Sequence, residues 1–262
     1  MANYIDREII CEAYSHLDSE VYKDKDELKK LENNLKKFFE ERAKFLFGED
    51  VEIEIEFSDG SLISKLRVIG STALILGTLV SDYGSFRQGV DQITKDSELL
   101  AQSTNLEVIF RTRTNYCDRV AIEKRKGIFG RTKELINSLD SVKDKVGSPN
   151  VPTNEGALEI FNKGTKELVH WDVLTDKLFE KIDSSETKVC IASGFVEELK
   201  KLPQLTPWTE ELNRPSFKTT LINSDPILAG AVNGASSMYT ATIKSVIKKM
   251  TDRILQNVDK KT

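Results

Sequence analysis

The chain has 262 residues, 39% hydrophobic and 31% charged, and its 38 basic residues nearly balance 42 acidic ones. That length allows a sizeable core in one large domain or two small ones. The near-balance of charge excludes a strong overall pull toward nucleic acid or membrane, so such a partner would have to meet a local patch.

Cys11, Cys117 and Cys190 are odd in number and far apart, which predicts reduced thiols in a cytosolic protein and not a disulfide framework. The first residues carry Asp6, Arg7 and Glu8 where a signal peptide would need an apolar core. The longest apolar stretch, Val68 to Val80, is about 13 residues, short of the roughly 20 that cross a bilayer as a helix. A cytoplasmic protein without a transmembrane segment is expected.

In chain order, Ile5, Ile9, Ala13, Leu17 and Val21 stand four apart and predict an amphipathic helix over 4–21. Leu28, Leu31, Leu35, Phe38, Phe39 and Leu46 predict a second helix, with Glu32/Lys36 and Glu40/Lys44 at ion-pair spacing on its solvent side. The period then becomes two. Val51, Ile53, Ile55 and Phe57 alternate with Glu52, Glu54 and Glu56, Asp59-Gly60 supplies a turn, and Leu62 to Ile69 returns, giving a β-hairpin at about 51–69.

A helix is expected from Ser71 to about Gln102, bearing small residues four apart at Ala73, Gly77, Ser81, Ser85 and Gly89. Glycine is costly inside a helix, so such a row marks a face that another backbone approaches, within the chain or between subunits. Residues 105–126 fit helix or strand equally. Gly127 precedes a helix that stops at Gly147, and 147–155, with Pro149 and Pro152, reads as a linker.

Beyond the linker, Leu168, Trp171, Leu174, Leu178 and Ile182 predict a helix. Lys188 to Ala192 is a short apolar run suited to a buried strand, with Ser193 capping a helix through Leu202. Thr206-Pro207 opens a short helix to Leu212, Phe217 to Ile222 is a further candidate strand, and Asp225-Pro226 starts a long helix to about Val258. That last helix carries Gly230 and Gly234 at GxxxG spacing. The expected fold is α+β and predominantly α-helical: a helical bundle with one hairpin and one or two short C-terminal strands, divided into 1–146 and 156–262.

No linear signature of catalysis is present. His170 has Asp172 and Asp176 nearby but no HExxH spacing, no CxxC or GxSxG occurs, and both the P-loop and the dinucleotide fingerprint are absent. No metal or cofactor is therefore expected. Gly127-Ile128-Phe129-Gly130 has the GxxG form of a nucleic-acid clamp, but its apolar middle favours a plain turn. The most informative segment is basic: Arg111, Arg113, Arg119, Lys124, Arg125, Lys126, Arg131 and Lys133, opposed by Asp118 and Glu123. Arginine suits bidentate contact with phosphate or carboxylate, so nucleic acid, a nucleotide or an acidic protein surface are candidate ligands. The acidic stretch around Glu49 to Glu56 offers internal or intersubunit pairing instead. The favoured function is a non-enzymatic interaction or assembly protein, with self-association through its small-residue helix faces as one form of it. Alternatives are a nucleic-acid or nucleotide binder in regulation or host conflict, and an enzyme whose site is assembled from distant residues. A bacterial setting would fit either regulatory role.

Overall fold

The computed structural model describes residues 8–18, 23–58, 62–148, 153–203 and 225–258. The chain forms two compact units, Met1–Lys133 with Lys181–Thr187, and Glu134–Glu180 with Lys188–Thr262.

The first unit is built on strand β1 (Ile9–Leu17), helix α1 (Lys25–Phe47), strands β2 (Val51–Ser58) and β3 (Leu62–Gly70), helices α2 (Thr72–Tyr83) and α3 (Phe86–Thr112), and strand β4 (Arg119–Lys126). The strands pair antiparallel in the order β2-β3-β1-β4. With α1 between β1 and β2, and α2 and α3 between β3 and β4, this is the split βαβ, ferredoxin-like plan. Alternation separates two faces. Cys11, Ala13, Ser15 and Leu17 of β1 stand opposite Val68, Leu66, Ser64 and Leu62 of β3, and all eight are buried. α1 packs toward β2, and α3 toward β1 and β4. α1 contributes Leu31, Leu35, Phe39, Ala43 and Phe47 to the core, and α3 contributes Val90, Ile93, Leu100 and Val108. The Ser15 and Ser64 hydroxyls satisfy each other at 2.5 Å inside this core.

Several expectations are corrected here. Residues 9–17 are the strand β1, not part of a helix. A spacing of four belongs to both the helical and the strand period, and Cys11 and Ser15 fill the intervening positions of the buried face. The hairpin strands exist, but within a four-stranded sheet; their turn at 59–61 lies outside the described residues. The helix expected from 71 to 102 is two helices, because Gly84 takes φ +75° and Ser85 caps α3 by accepting from the Gln88 N–H at 3.3 Å. Residues 106–112 finish α3, and 119–126 are strand.

The second unit is helical. It contains most of α4 (Ile128–Val146), α5 (Asn154–Phe179), most of α6 (Ser185–Lys200) and α7 (Pro226–Val258). Trp171 anchors its core: the indole N–H donates to the Leu135 carbonyl at 2.9 Å, and the ring meets Phe195 edge-on at 5.1 Å. Thr153 caps α5, and the Asp225 carboxylate accepts from the Leu228 N–H at 2.9 Å to open α7. Residues 188–192, expected as a strand, lie inside α6. The N-cap is Ser184, whose hydroxyl accepts from the Thr187 N–H, and Ser193 stands mid-helix. The candidate helix at 206–212 and strand at 217–222 lie outside the described residues, as do 149–152 of the expected linker. Among the described residues no helix is long and apolar enough to cross a membrane.

Candidate functional site

The sheet face away from its apolar core is a lattice of charge. Glu12 of β1 faces Arg67 of β3 on one side and Arg125 of β4 on the other. Its side chain is only 2% exposed, and each oxygen has its own arginine: Oε2 accepts from Arg67 Nε at 2.5 Å, and Oε1 from an Arg125 terminal nitrogen at 2.8 Å. Arg67 also reaches Glu54 and Glu56 of β2, Lys65 reaches Glu56 at 2.8 Å, and Arg125 reaches Glu123 at 2.7 Å. Burial works against the Arg67 charge, but its bonds to Glu12 and Glu54 outweigh that and hold its pKa above the ordinary arginine value. The Arg125 guanidinium lies 3.9 Å over the Tyr14 ring. A base seeking a stacking platform would find that aromatic face already covered by a guanidinium.

At the sheet's margin the chemistry changes. Among the described strands β4 is at the edge of the sheet, and its side chains alternate between half-buried and exposed. Val120 is 61% exposed, and Ile122, Lys124 and Lys126 are also exposed. The preceding segment adds Tyr116 and, on α3, an exposed stripe of Leu99, Leu106 and Phe110, the last 77% exposed. Asn105, next to Leu106 in sequence, donates to the Glu123 carbonyl at 2.9 Å and so ties this end of α3 to β4.

The basic residues are thus dispersed, not gathered into one patch. Arg111 pairs with Glu107 one helical turn away, Arg125 with Glu12 and Glu123, and Lys133 with Asp91 at 3.0 Å. Arg113 ends α3 in a left-handed conformation, φ +51°, with its N–H bonded to the Ile109 and Phe110 carbonyls. Arg119 lies 5.5 Å over the Tyr116 ring, and its Nε is buried without a hydrogen-bond partner among the described residues. Lys124 and Lys126 are exposed on β4, opposite Ala13 and Cys11 of β1, and Arg131 lies in the first turn of α4. The acidic stretch does pair internally, but Glu54 and Glu56 take Arg67 and Lys65, which the basic segment does not include. Gly127 and Gly130 serve the strand-to-helix junction. A Cβ on Gly127 would sit 1.9 Å from the Ile9 carbonyl oxygen, and one on Gly130 would sit 2.5 Å from Lys126 Cβ.

The small-residue row is broken. Ala73, Gly77 and Ser81 lie in α2, Ser85 caps α3, and Gly89 is buried in α3. Among the described residues an added Cβ would meet nothing within 4 Å at Gly77, Gly230 or Gly234, so no described backbone lies against them. α7 buries Ala229, Val232, Ala235 and Tyr239 instead. Gly230→Ala and Gly234→Ala should each stabilise the helical unit, by roughly 0.5–1 kcal/mol from helix propensity alone. Denaturant unfolding followed by circular dichroism tests this; a loss of stability would mean that something outside the chain needs the glycines.

The helical unit holds an open polar cleft of about 780 Å³, lined by Asp176, Phe179, Lys188, Lys248, Lys249 and Arg253 among others. The Lys249 ammonium donates to Asp172 at 2.8 Å and Asp176 at 2.7 Å, and Arg253 pairs with Asp176 while its guanidinium stacks 4.5 Å over Phe179. Burial opposes the Lys249 charge, and the bonds from Asp172 and Asp176 override it, raising its pKa. His170 is exposed on α5, and among the described residues no group of three or more metal-ligating side chains is close enough to hold an ion. Burial pushes the Cys11 thiol up to about 12, with neighbouring Glu12 adding to the effect, and burial also raises Cys190. Maleimide at neutral pH should therefore label exposed Cys117 first and Cys11 only on unfolding. Rapid labelling of Cys11 in the folded protein, read by peptide mass mapping, would show that β1 opens.

Sequence spacing concealed Glu12, because its partners lie 55 and 113 residues away. It also leaves 105–126 as helix or strand, so the exposed stripe of α3 is not visible in it. No protein-family model, curated protein or solved structure matches this chain.

Proposed function

We propose that this chain is a non-enzymatic interaction or assembly protein, and that it docks through the β4 edge and the adjoining end of α3. The observation that carries this is the β4 edge, which no other described strand covers and on which Val120 and Ile122 are exposed, together with exposed Leu106, Phe110 and Tyr116 in the segments that precede it. An edge strand presents a row of main-chain donors and acceptors, and exposed apolar side chains beside it add affinity without further ordering of the backbone. Proteins normally blunt such an edge. Lys124 and Lys126 do so at one end and the register shift against β1 between Ala121 and Arg119 does so at the other, which leaves the middle of the strand and the neighbouring α3 stripe to a partner.

The free thiols Cys11, Cys117 and Cys190 support a reducing, cytosolic setting for this role. The alternative of anion binding rests on Lys124, Lys126 and Arg113, all exposed, and would give an affinity falling steeply with salt.

A photo-crosslinking amino acid placed at Phe110 or Val120 in cells tests the docking surface, with Phe45, 88% exposed on α1, as control. Discrete protein adducts are expected from 110 and 120 and none from 45. Equal, diffuse labelling at all three positions would remove the β4 edge from consideration.

A further inference from the structure

We infer that the partner seated beside β4 is an acidic amphipathic helix, lying next to α3 on the helix-covered face of the sheet. This rests on the proposed docking surface and names its occupant. Ile122, Lys124 and Lys126 stand opposite Ser15, Ala13 and Cys11 of β1 in a stretch of regular register, so all six side chains share one face. The three on β1 are at most 1% exposed, whereas Ile122 is 39% exposed and both lysines are exposed. The helical layer therefore covers this face as far as β1 and stops short of the outer side of β4. A ledge is left there, and among the described residues nothing fills it.

Asn105 marks the wall of this ledge, because its side chain donates to the Glu123 carbonyl at 2.9 Å and so turns that flank of α3 toward β4. Ile109, one turn further along the same flank, is half-buried, and Leu106 beside it is exposed. A helix is the occupant that fits. Helices already cover this face over the inner strands, and the main chain of β4 is partly committed. Asn105 takes the Glu123 carbonyl, and the register against β1 shifts between His16 and Leu17. Side chains, not a continuous row of main-chain bonds, must then hold the partner. The ledge is apolar at one end and basic at the other: Ile122, Ile109 and Leu106 suit an apolar stripe, and Lys124 and Lys126 suit acids. Lys95 and Arg113, exposed on α3, add positive charge against the exposed Glu98. From Ile122 to Lys126 is about 13 Å of strand, which a helix spans in about nine residues. The partner therefore carries its apolar and acidic residues on one face, one to two turns apart.

The test is fluorescence anisotropy of the full chain with three labelled peptides of about 18 residues, long enough to form a helix. One carries a leucine stripe at i, i+3, i+4 and i+7 with glutamates between. The second replaces every glutamate by lysine, and the third is the acidic peptide with a proline at its centre. The acidic helix should bind about tenfold more tightly than either of the others. Lys124→Glu combined with Lys126→Glu should abolish the preference for acid, whereas Ile122→Ser should weaken binding and keep the preference. Equal binding of the acidic peptide and either of the others, or no binding of the acidic one below about 1 mM, overturns the inference. So does a preference that survives both charge reversals in a protein whose circular dichroism is native. The crosslinks from Val120 in cells separate the two levels. A discrete adduct unchanged by the charge reversals defeats the acidic helix and leaves the docking surface standing, whereas the absence of any discrete adduct defeats the docking surface itself.

Discussion

Gly127→Ala is expected to be the most damaging single methyl that can be added to this protein. The new Cβ would lie 1.9 Å from the Ile9 carbonyl oxygen and 2.3 Å from that of Ile10. Both obstacles are backbone of the central strand, so no rotamer change relieves them. The junction between β4 and α4 or the start of β1 has to move, and Ile9, Ile10, Ile128 and Phe129 are all buried there. A loss of about 3 kcal/mol or more is expected, at the upper end of overpacking effects. Gly77→Ala, in open space on α2, is the matched control and should be neutral or slightly stabilising. Hydrogen exchange of β1 amides distinguishes them: protection should collapse at 127 and persist at 77. Equal protection would mean that the strand and the glycine are not in contact in solution.

Glu12→Ala is the second large effect, for an electrostatic reason. Two arginines, each largely covered by the sheet, share this one carboxylate, whose side chain is 2% exposed. Removing it leaves them facing each other across β1. Since Arg67 keeps Glu54 and Glu56 and Arg125 keeps Glu123, the cost should fall near the low end for breaking a buried pair, about 3 kcal/mol. Glu12→Gln keeps an acceptor and loses the charge, so it should fall between Ala and wild type. Trp171 belongs to the other unit, so its fluorescence is the wrong probe. Exchange of β1 and β3 amides is the appropriate one, and an unchanged pattern in Glu12→Ala would show that the arginines are content with their outer partners.

How much of this was legible in the sequence depends on the range of the interactions involved. α1 and the β2–β3 pair carry their own period: Leu31, Leu35 and Phe39 of α1 and Leu62, Leu66 and Val68 of β3 are buried, whereas Ile53, Ile55 and Phe57 of β2 are half-buried. The starts and stops of α4, α5 and α7 follow from Gly147, Thr153 and Asp225, local caps that any chain would use. β1 was hidden because Ile9, Ala13 and Leu17 satisfy two periods at once, and what decides between them is pairing with residues 62–70 and 119–126. The run at 188–192 is too short for periodicity to choose a state, and neighbouring Phe195, packed on Trp171, is part of the helix that claims it. The basic segment was visible as composition, but its fate was not. Side chains adjacent in sequence diverge onto a helix end, two faces of a strand and another helix, so that only some of them remain outward.

The position of β1 in the sheet also sets a schedule for synthesis. The strand made first is the one enclosed on both sides, and Glu12 waits for Arg125, 113 residues later. At ribosomal speed that is a delay on the order of ten seconds. During it Ile9, Ile10 and Cys11 have no β4 beside them. Non-local pairing of this kind slows folding and lengthens exposure of sticky chain. The nascent protein is therefore an expected client of ribosome-associated chaperones until β4 has emerged.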